Sequence, residues 1–310
     1  MQKIIKALRE ALASACNPDS KAPLYDEREA RSIIDLLLEE VCSLTRVSRV
    51  LHPDWQPSDV QRDELMRCAS LLAQGMPVQQ VLGYEWFCGR RFRVTPDVLI
   101  PRPETAELIS WICQTVAEEQ MPPRCVIDFG TGSGCIAVTL AADLPEAQVV
   151  GFDLSQQALN IARQNACELG VDNLQFAQCD ILKCVDNSYY NQVIHNLSTG
   201  YTPFHNIDII VSNPPYICRR EAVEMSAVVL QHEPEMALFV PDDDPLLFYR
   251  HIARFAHQHL ASGGHLFFEI NAAYGQEVVA MLHAEGFSGV ELRRDVNGRD
   301  RMVHVRNQAE

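Results

Sequence analysis

Apolar side chains in the first 82 residues recur at intervals of three and four positions. This spacing is typical of amphipathic helices that bury one face. The segments with this pattern are residues 4–15, 26–45 and 57–75. Ser58 is a favourable start for the third helix, and Gly75 is a favourable end. The pattern therefore predicts a small helical bundle over residues 1–82.

A different pattern follows the bundle. Aromatic and β-branched residues alternate with polar ones over residues 83–100, on both sides of a Cys-Gly pair. This alternation predicts a β-hairpin, and we interpret the segment as a linker between two domains. Trp86 and Phe87 are expected to be buried in a core between these domains.

From residue 101 to residue 310, helix-like and strand-like segments alternate, beginning with a helix near Pro103. The strand-like segments are residues 125–129, 147–153, 174–180, 207–212, 264–270, 289–295 and 301–307. Such alternation predicts an α/β fold, a doubly wound and mostly parallel seven-stranded sheet with helices on both faces. The last two strands are expected to form an antiparallel pair at one edge. The polar segment 184–206 lacks periodicity and predicts a long surface loop.

Composition restricts the possible functions. A chain of 310 residues with 47% hydrophobic residues is long enough for two domains. The net charge of −15 argues against a large nucleic-acid surface, because phosphate binding relies on Lys and Arg. The 11 cysteines include no C-x-x-C pair, so neither a zinc site nor a disulfide framework is indicated. With no signal peptide and no membrane-spanning stretch in the pattern, we expect a cytoplasmic protein without a metal.

The glycine-rich segment Asp-Phe-Gly-Thr-Gly-Ser-Gly, residues 128–134, lies directly between a predicted strand and a predicted helix. Glycines allow a tight turn and a close approach of the backbone to a ligand. Asp153 ends the next strand, where its carboxylate can accept hydrogen bonds from a ribose, and Asp180 ends the strand after that. The loop also satisfies the dinucleotide fingerprint G-x-G-x-x-A, so it predicts a nucleotide-like ligand without choosing between NAD and S-adenosylmethionine.

The strand-like segment 207–212 is followed by Asn213, Pro214, Pro215 and Tyr216. Proline alone would only mark the end of a strand. The whole set suits a methyltransferase that acts on a planar amide or amino nitrogen. The Asn213 side-chain oxygen and the Pro214 carbonyl can accept both N–H bonds of that nitrogen, and Tyr216 can stack on the flat group. These residues therefore favour S-adenosylmethionine over NAD.

Motifs along the chain resemble those of class I S-adenosylmethionine-dependent methyltransferases that modify planar nitrogens, which have a Rossmann-like sheet. They are residues 128–134, 151–155, 179–180 and 212–217. Further stretches are similar to the peptide chain release factor glutamine methyltransferase family. They are residues 83–109, 233–239, 245–252 and 298–303. The match covers nearly the whole chain from about residue 78, and the N-terminal helices fit that family's helical domain.

The resemblance implies an enzyme that methylates the side-chain N5 of the glutamine in the Gly-Gly-Gln motif of class 1 release factors. It implies catalytic roles for Asn213, Pro214 and Tyr216, with Pro215 completing the glutamine site. The implied cofactor contacts are Asp128, Gly130, Thr131, Gly132, Ser133, Gly134, Asp153, Asp180, Ile181 and Asn213. The helical bundle would recognise the substrate protein. We expect a monomer with release factors as partner, without stable nucleic-acid binding or membrane attachment.

Alternatives remain open at this stage. Related enzymes methylate glutamine in a ribosomal protein, but those usually have serine where Pro103 stands. Adenine-N6 methyltransferases share the N-P-P-Y motif, and a non-enzymatic protein could bind S-adenosylmethionine alone. Two positions depart from the family pattern: Ala106 replaces a usual acidic residue, and Ile181 stands where some members have tryptophan.

Overall fold

The structure, a computed structural model, describes residues 1–16, 22–119, 122–195, 197 and 206–308. The chain divides into two compact units. One, the helical unit, comprises Met1–Gly83 and Met225–His232. The other, the catalytic unit, comprises Tyr84–Glu224 and Glu233–Glu310.

The helices and strands follow one another along the chain in the order in which they are numbered. The helices are α1 Gln2–Ala13, α2 Glu27–Cys42, α3 Arg46–Leu51, α4 Asp59–Ala73, α5 Val78–Leu82, α6 Pro103–Glu118, α7 Cys135–Asp143, α8 Gln156–Glu168, α9 Asn187–His195, α10 Ala227–His232, α11 Glu235–Leu238, α12 Leu247–His259 and α13 Gly275–Ala284. The strands are β1 Tyr84–Phe87, β2 Arg90–Arg93, β3 Cys125–Phe129, β4 Gln148–Asp153, β5 Leu174–Gln178, β6 Ile207–Ser212, β7 Ile217–Cys218, β8 Phe239–Val240, β9 Leu260–Glu269, β10 Glu291–Arg294 and β11 Asp300–Arg306.

The helical unit is built as its apolar pattern predicts. Leucines of α1, α2 and α4 form a buried core. Helix α2 begins at Asp26, whose carboxylate accepts the Glu29 N–H, and α4 begins at a capping box formed by Ser58 and Gln61. Helices α3 and α5 were not predicted, because six and five residues are too few to show a helical period.

The catalytic unit contains the predicted seven-stranded sheet, in the order β10-β11-β9-β6-β3-β4-β5. Strands β9, β6, β3, β4 and β5 are parallel, whereas β10 and β11 are antiparallel at one edge. The central strands are almost continuously buried, since helices cover both faces. The predicted α/β fold is therefore confirmed.

The predicted hairpin is present as β1 and β2, with positive φ at the two turn residues Cys88 and Gly89. Phe87 is buried in the core of the catalytic unit, where it packs edge-on against Phe92, so the predicted place in a core between two domains was wrong. The expectation for Trp86 was wrong, because its side chain is 59% exposed. Neighbouring residues of a strand point to opposite faces, so Trp86 and Phe87 do not share one core.

The segment 184–206 was predicted to be a loop, but residues 187–195 form helix α9. Tyr190 is buried in this helix and packs edge-on against Phe255 of α12 and Phe152 of β4, which anchors the helix to the core. A helix of nine residues with polar exposed positions has little sequence periodicity, so tertiary packing decided its formation. Residues 196 and 198–205 of the predicted loop lie outside the described residues. No described helix is both long and apolar enough to cross a lipid bilayer.

Candidate active site

The predicted site residues follow four adjacent parallel strands. Strands β6, β3, β4 and β5 lie side by side, so their carboxyl ends meet at one edge of the sheet. The Ser212 hydroxyl donates to the Phe129 carbonyl at 2.7 Å, and the Cys179 N–H donates to the Asp153 carbonyl at 2.9 Å. These bonds tie the strand ends together. Asn213, the glycine loop, Asp153 and Asp180 therefore form one continuous edge.

The glycine loop turns tightly between β3 and α7. Gly130, Gly132 and Gly134 all have positive φ, at 73°, 56° and 80°, a conformation that other L-residues rarely adopt. A Cβ at Gly134 would lie 3.0 Å from the Ala162 Cβ, so this position also lacks space for a side chain. A Cβ at Gly130 would lie 4.0 Å from the Asn213 carbonyl oxygen. The loop therefore passes close to the backbone of the N-P-P-Y segment.

Asp153 holds the glycine loop in place. Its Oδ2 accepts the Gly132 N–H and its Oδ1 accepts the Ser155 N–H, both at 2.8 Å. Burial raises the pKa of this carboxyl, and the backbone N–H donors oppose that rise. Each carboxylate oxygen has lone pairs for a further bond. Asp153 can therefore both support the loop and accept hydrogen bonds from a ligand, whereas the sequence predicted only the second role.

Asp128 is fully buried at the end of β3. Its Oδ2 accepts the Thr131 hydroxyl at 2.6 Å, the Ala137 N–H also acts on the carboxylate, and Oδ1 makes no further hydrogen bond of normal geometry with a described residue. Burial raises the pKa of Asp128 to about 7. Ser133, also in the loop, has a buried hydroxyl whose neighbouring polar group is the Cys135 thiol, with no hydrogen bond of normal geometry to a described residue. Buried polar atoms are normally hydrogen-bonded, so these two atoms suit a polar ligand at this loop.

Asp180 and Ile181 begin the 3₁₀ turn that follows β5. The Asp180 carboxylate accepts the Leu182 N–H and the Lys183 ammonium, each at 3.1 Å. The Asp180 N–H donates to the Tyr189 hydroxyl of α9 at 2.9 Å. Ile181 is half-buried against the core. The unpredicted helix α9 therefore fixes the position of this part of the site.

Asn213 is oriented by residues outside its own motif. Its Nδ2 donates to Thr105 Oγ1 at 3.2 Å, and that hydroxyl donates to Glu269 Oε2 at 2.6 Å. The other carboxylate oxygen of Glu269 accepts the Tyr216 hydroxyl at 3.2 Å. No described residue donates a hydrogen bond to Asn213 Oδ1 or to the Pro214 carbonyl. Both acceptors are therefore available at the edge of the sheet.

The backbone after Asn213 is held by polar contacts. The Asn271 Nδ2 donates to the Tyr216 carbonyl at 3.0 Å and also contacts the Glu221 carboxylate. Pro214 is buried and Pro215 is half-buried. Strand β7, which comes directly after Tyr216, pairs with β8. These contacts keep the segment in one conformation. Tyr216 is half-buried with its hydroxyl on Glu269, and removal of the hydroxyl from water raises its pKa above the usual range.

The sequence did not predict the participation of Thr105 and Glu269. Thr105 lies in the first turn of α6, and Glu269 is a buried carboxylate at the end of β9. Burial raises the pKa of Glu269, and the Thr105 hydroxyl, Arg301 and the Tyr216 hydroxyl oppose this rise. The available signal was an acidic residue directly after the apolar run Leu266–Phe268 of a strand, a position where a charge needs partners.

Arg102 directly precedes helix α6. In the structure Arg102 is the N-cap of α6 but makes no side-chain cap bond. Its guanidinium instead pairs with the buried carboxylate of Glu233 at 2.5 Å, which also accepts the Ile100 N–H at 3.2 Å. Ala106 is half-buried against apolar side chains. Among the described residues, no three His, Cys, Asp or Glu side chains are grouped to hold a metal ion.

Comparisons with known proteins agree with this geometry. The family described as "Methyltransferase domain" matches residues 124–259, and the family described as "PrmC N-terminal domain" matches residues 23–83. A "Release factor glutamine methyltransferase" of Bacteroides thetaiotaomicron is 40% identical over 280 residues, covering 90% of this chain and 94% of that protein. Another of that name, from Neisseria gonorrhoeae, is 38% identical, covering 92% of this chain and 93% of that protein.

A solved structure shares the fold. The hMettl16 catalytic domain, solved in complex with MAT2A 3′UTR hairpin 6, superposes with a TM-score of 0.52 at 14% sequence identity. The likeness covers 82% of this chain and 84% of that one. At this level of identity it bears on the fold alone.

Proposed function

The chain belongs to the release factor glutamine methyltransferases, and from that premise we propose that it methylates N5 of the glutamine in the Gly-Gly-Gln motif of class 1 release factors. As a member of this family it is a methyltransferase that acts on protein glutamine. The proposed methyl donor is S-adenosylmethionine. The proposed catalytic residues are Asn213, Pro214 and Tyr216, with Pro215 at the same site.

The observation that carries the proposal is the pair of free acceptors at the N-P-P-Y segment. A glutamine amide nitrogen carries two N–H bonds and is a poor nucleophile, because its lone pair is delocalised into the carbonyl. Asn213 Oδ1 and the Pro214 carbonyl can each accept one of these N–H bonds. Accepting both fixes the nitrogen and favours the form in which its lone pair is available. The ring of Tyr216 can cover the flat amide.

The glycine loop and its neighbours fit S-adenosylmethionine, which supplies an electrophilic methyl group when bound. Residues 130–134 would line the cofactor. The three glycines among them have no side chain, so the backbone can approach the cofactor closely. Asp153 would accept the ribose hydroxyls with the lone pairs that its backbone donors leave free. Oδ1 of Asp128 can accept from a polar part of the cofactor, either directly or through water. Asp180 and Ile181 would border its base.

We assign recognition of the release factor to the helical unit. Three side chains of helix α3 support this assignment, because Val47, Val50 and Leu51 are each 68–79% exposed. A cluster of exposed apolar side chains on a short helix is typical of a surface that binds another protein. The carboxyl-edge residues described above all lie in the catalytic unit, so the helical unit is free to serve substrate binding.

The test of the function is a transfer assay with labelled S-adenosylmethionine. The purified protein is incubated separately with a class 1 release factor, total ribosomal protein and DNA, and the labelled residue is located by mass spectrometry. We expect label only on the Gly-Gly-Gln glutamine. Asn213→Ala should reduce the single-turnover rate by roughly 10²–10³, the usual effect of removing one preorganised hydrogen-bonding group. Label on ribosomal protein or DNA in place of the release factor would reject the proposed substrate.

The role of the helical unit has its own test. Val50→Asp places a charge on the exposed face of α3 and should lower kcat/KM on the whole release factor without changing the rate on a short Gly-Gly-Gln peptide. Val296→Asp is the matched control, because Val296 is equally accessible at 84% exposure but lies in the catalytic unit. Equal effects of the two substitutions would contradict recognition through α3.

A further inference from the structure

We propose that Thr105 and Glu269 are positioning residues that set the orientation of the Asn213 amide, so that its oxygen and not its nitrogen faces the substrate. The inference rests on the proposed function, since it concerns the same site. None of the motifs that suggested this function includes Glu269. The inference comes from the chain of contacts that joins Glu269 to Thr105 and Thr105 to Asn213.

The argument begins with the single proton of the Thr105 hydroxyl. Thr105 Oγ1 lies 2.6 Å from Glu269 Oε2, a distance typical of a hydroxyl that donates to a carboxylate. With its proton donated there, the hydroxyl can only accept on its other side. The group that it meets on that side is the Asn213 amide at 3.2 Å. Only the NH₂ half of an amide can donate, so this half must face Thr105.

The consequence concerns the opposite half of the amide. Once Nδ2 faces Thr105, Oδ1 is directed away from it, and no described residue donates to Oδ1. A flipped amide would place Oδ1 against the Thr105 oxygen, which has no proton left to donate. It would also present N–H groups to the substrate amide, whose own N–H groups need an acceptor. The flipped form would therefore be both unfavourable in the resting site and unproductive with substrate.

Glu269 is suited to this role because it is a buried acceptor with two hydroxyl donors. Thr105 and Tyr216 each donate to a different oxygen of the carboxylate. The carboxylate is 1% exposed, so water does not compete for these bonds. The same carboxylate therefore orients two of the proposed catalytic residues, Asn213 through Thr105 and Tyr216 directly. This explains why a charged residue follows the apolar run Leu266–Phe268 at the end of β9.

The first experiment compares two substitutions at Thr105. Thr105→Val keeps the shape of the side chain and removes the hydroxyl, whereas Thr105→Ser keeps the hydroxyl. With saturating S-adenosylmethionine and release factor, the single-turnover rate should fall about ten- to a hundredfold for Thr105→Val, less than for Asn213→Ala. Thr105→Ser should stay within about threefold of the wild type. Calorimetry should show cofactor affinity within about threefold for both variants, since neither removes a proposed cofactor contact.

A double substitution separates positioning from a merely structural effect. If Thr105 acts through Asn213, adding Thr105→Val to Asn213→Ala should cause no further loss of rate. Multiplied losses in the double variant, or a Thr105→Val rate within twofold of the wild type, would overturn the inference. If Thr105→Val does not fold, the same cycle is carried out with Thr105→Ala, which also removes only the Thr105 hydroxyl from the chain of contacts, and the same outcomes decide.

A measurement on the protein alone keeps this inference distinct from the proposed function. The Asn213 side-chain NH₂ is assigned by NMR as the signal that Asn213→Asp removes. In the wild type its protons should exchange slowly with solvent, and in Thr105→Val at least tenfold faster, because the acceptor is lost. Equal exchange would overturn the role of Thr105 whether or not the wild type methylates a release factor. A wild type that leaves release factors unlabelled would instead reject the proposed function.

Discussion

Asp128→Asn should make the stability of the catalytic unit less dependent on pH. Burial raises the pKa of Asp128 from 3.8 to about 7 in the folded protein. The folded state therefore binds more protons than the unfolded state between these two values, and stability falls as the pH rises through this range. Asparagine resembles the protonated carboxyl in shape and carries no charge at any pH. It can also keep an oxygen toward the Thr131 hydroxyl that Asp128 now accepts.

The magnitude follows from the separation of the two pKa values, which is about three pH units. Each unit corresponds to about 1.36 kcal/mol, so ionised Asp128 costs the folded state about 4 kcal/mol above pH 7. Below about pH 4 this cost is absent. Relative to the wild type, Asp128→Asn should therefore gain up to about 4 kcal/mol in free energy of unfolding between pH 4 and pH 8. Buried carboxyls that do not interact with Asp128 titrate equally in both proteins and cancel in the difference, whereas the charge of Asp153 contributes to the raised pKa of Asp128.

The assay is urea denaturation of the cofactor-free protein at several pH values, followed by tryptophan fluorescence. Trp111 is buried in the catalytic unit and packs edge-on against Phe267 at 5.7 Å, so it reports on this unit. Replacing Trp55 and Trp86 by phenylalanine in every variant removes the other signals. Asp172→Asn is the control, because Asp172 is exposed. A stability difference between Asp128→Asn and the wild type that is the same at pH 5 and pH 8 would refute the argument.

Further expectations concern the cofactor, the loop and the partner. Asp153→Ala should lower S-adenosylmethionine affinity in calorimetry by at least tenfold, since about 1.5–3 kcal/mol is lost per charge-assisted bond; unchanged affinity would contradict its role. Gly134→Ala should lower the denaturation midpoint more than Gly170→Ala, because both have positive φ but only Gly134 has a neighbour 3.0 Å from a new Cβ. Tyr216→Phe should lose less activity in single turnover than Tyr216→Ala, because it keeps the ring and loses only the bond to the carboxylate of β9. The kcat/KM on a whole release factor should fall as ionic strength rises if charge attraction assists encounter, and a flat salt profile would exclude this assistance.

The local pattern of the sequence was sufficient for most of the catalytic unit. Strands β3 and β6 lie at their predicted residues, because a short apolar run bounded by glycine or proline has few alternatives to a buried strand. The glycine loop and the N-P-P-Y segment were recognisable for a similar reason. Both segments consist of residues that are adjacent in the chain. They can therefore be recognised from the order and spacing of residues in the sequence.

The tertiary structure decided features that depend on residues distant in the chain. Helix α9 forms in a polar segment because Tyr190 finds a place in the core, which local propensity does not reveal. Trp86 is exposed because neighbouring residues of a hairpin strand point to opposite faces, and its neighbour Phe87 points into the core.

The orientation of Asn213 depends on Thr105, which is 108 positions earlier in the chain, and Thr105 in turn depends on Glu269, a further 164 positions away from it. A hydrogen bond requires two atoms within about 3 Å, and only the packing of α6 and β9 beside β6 brings these three residues that close. The sequence alone therefore determined which residues could perform the chemistry. The fold determined which half of the Asn213 amide contacts Thr105.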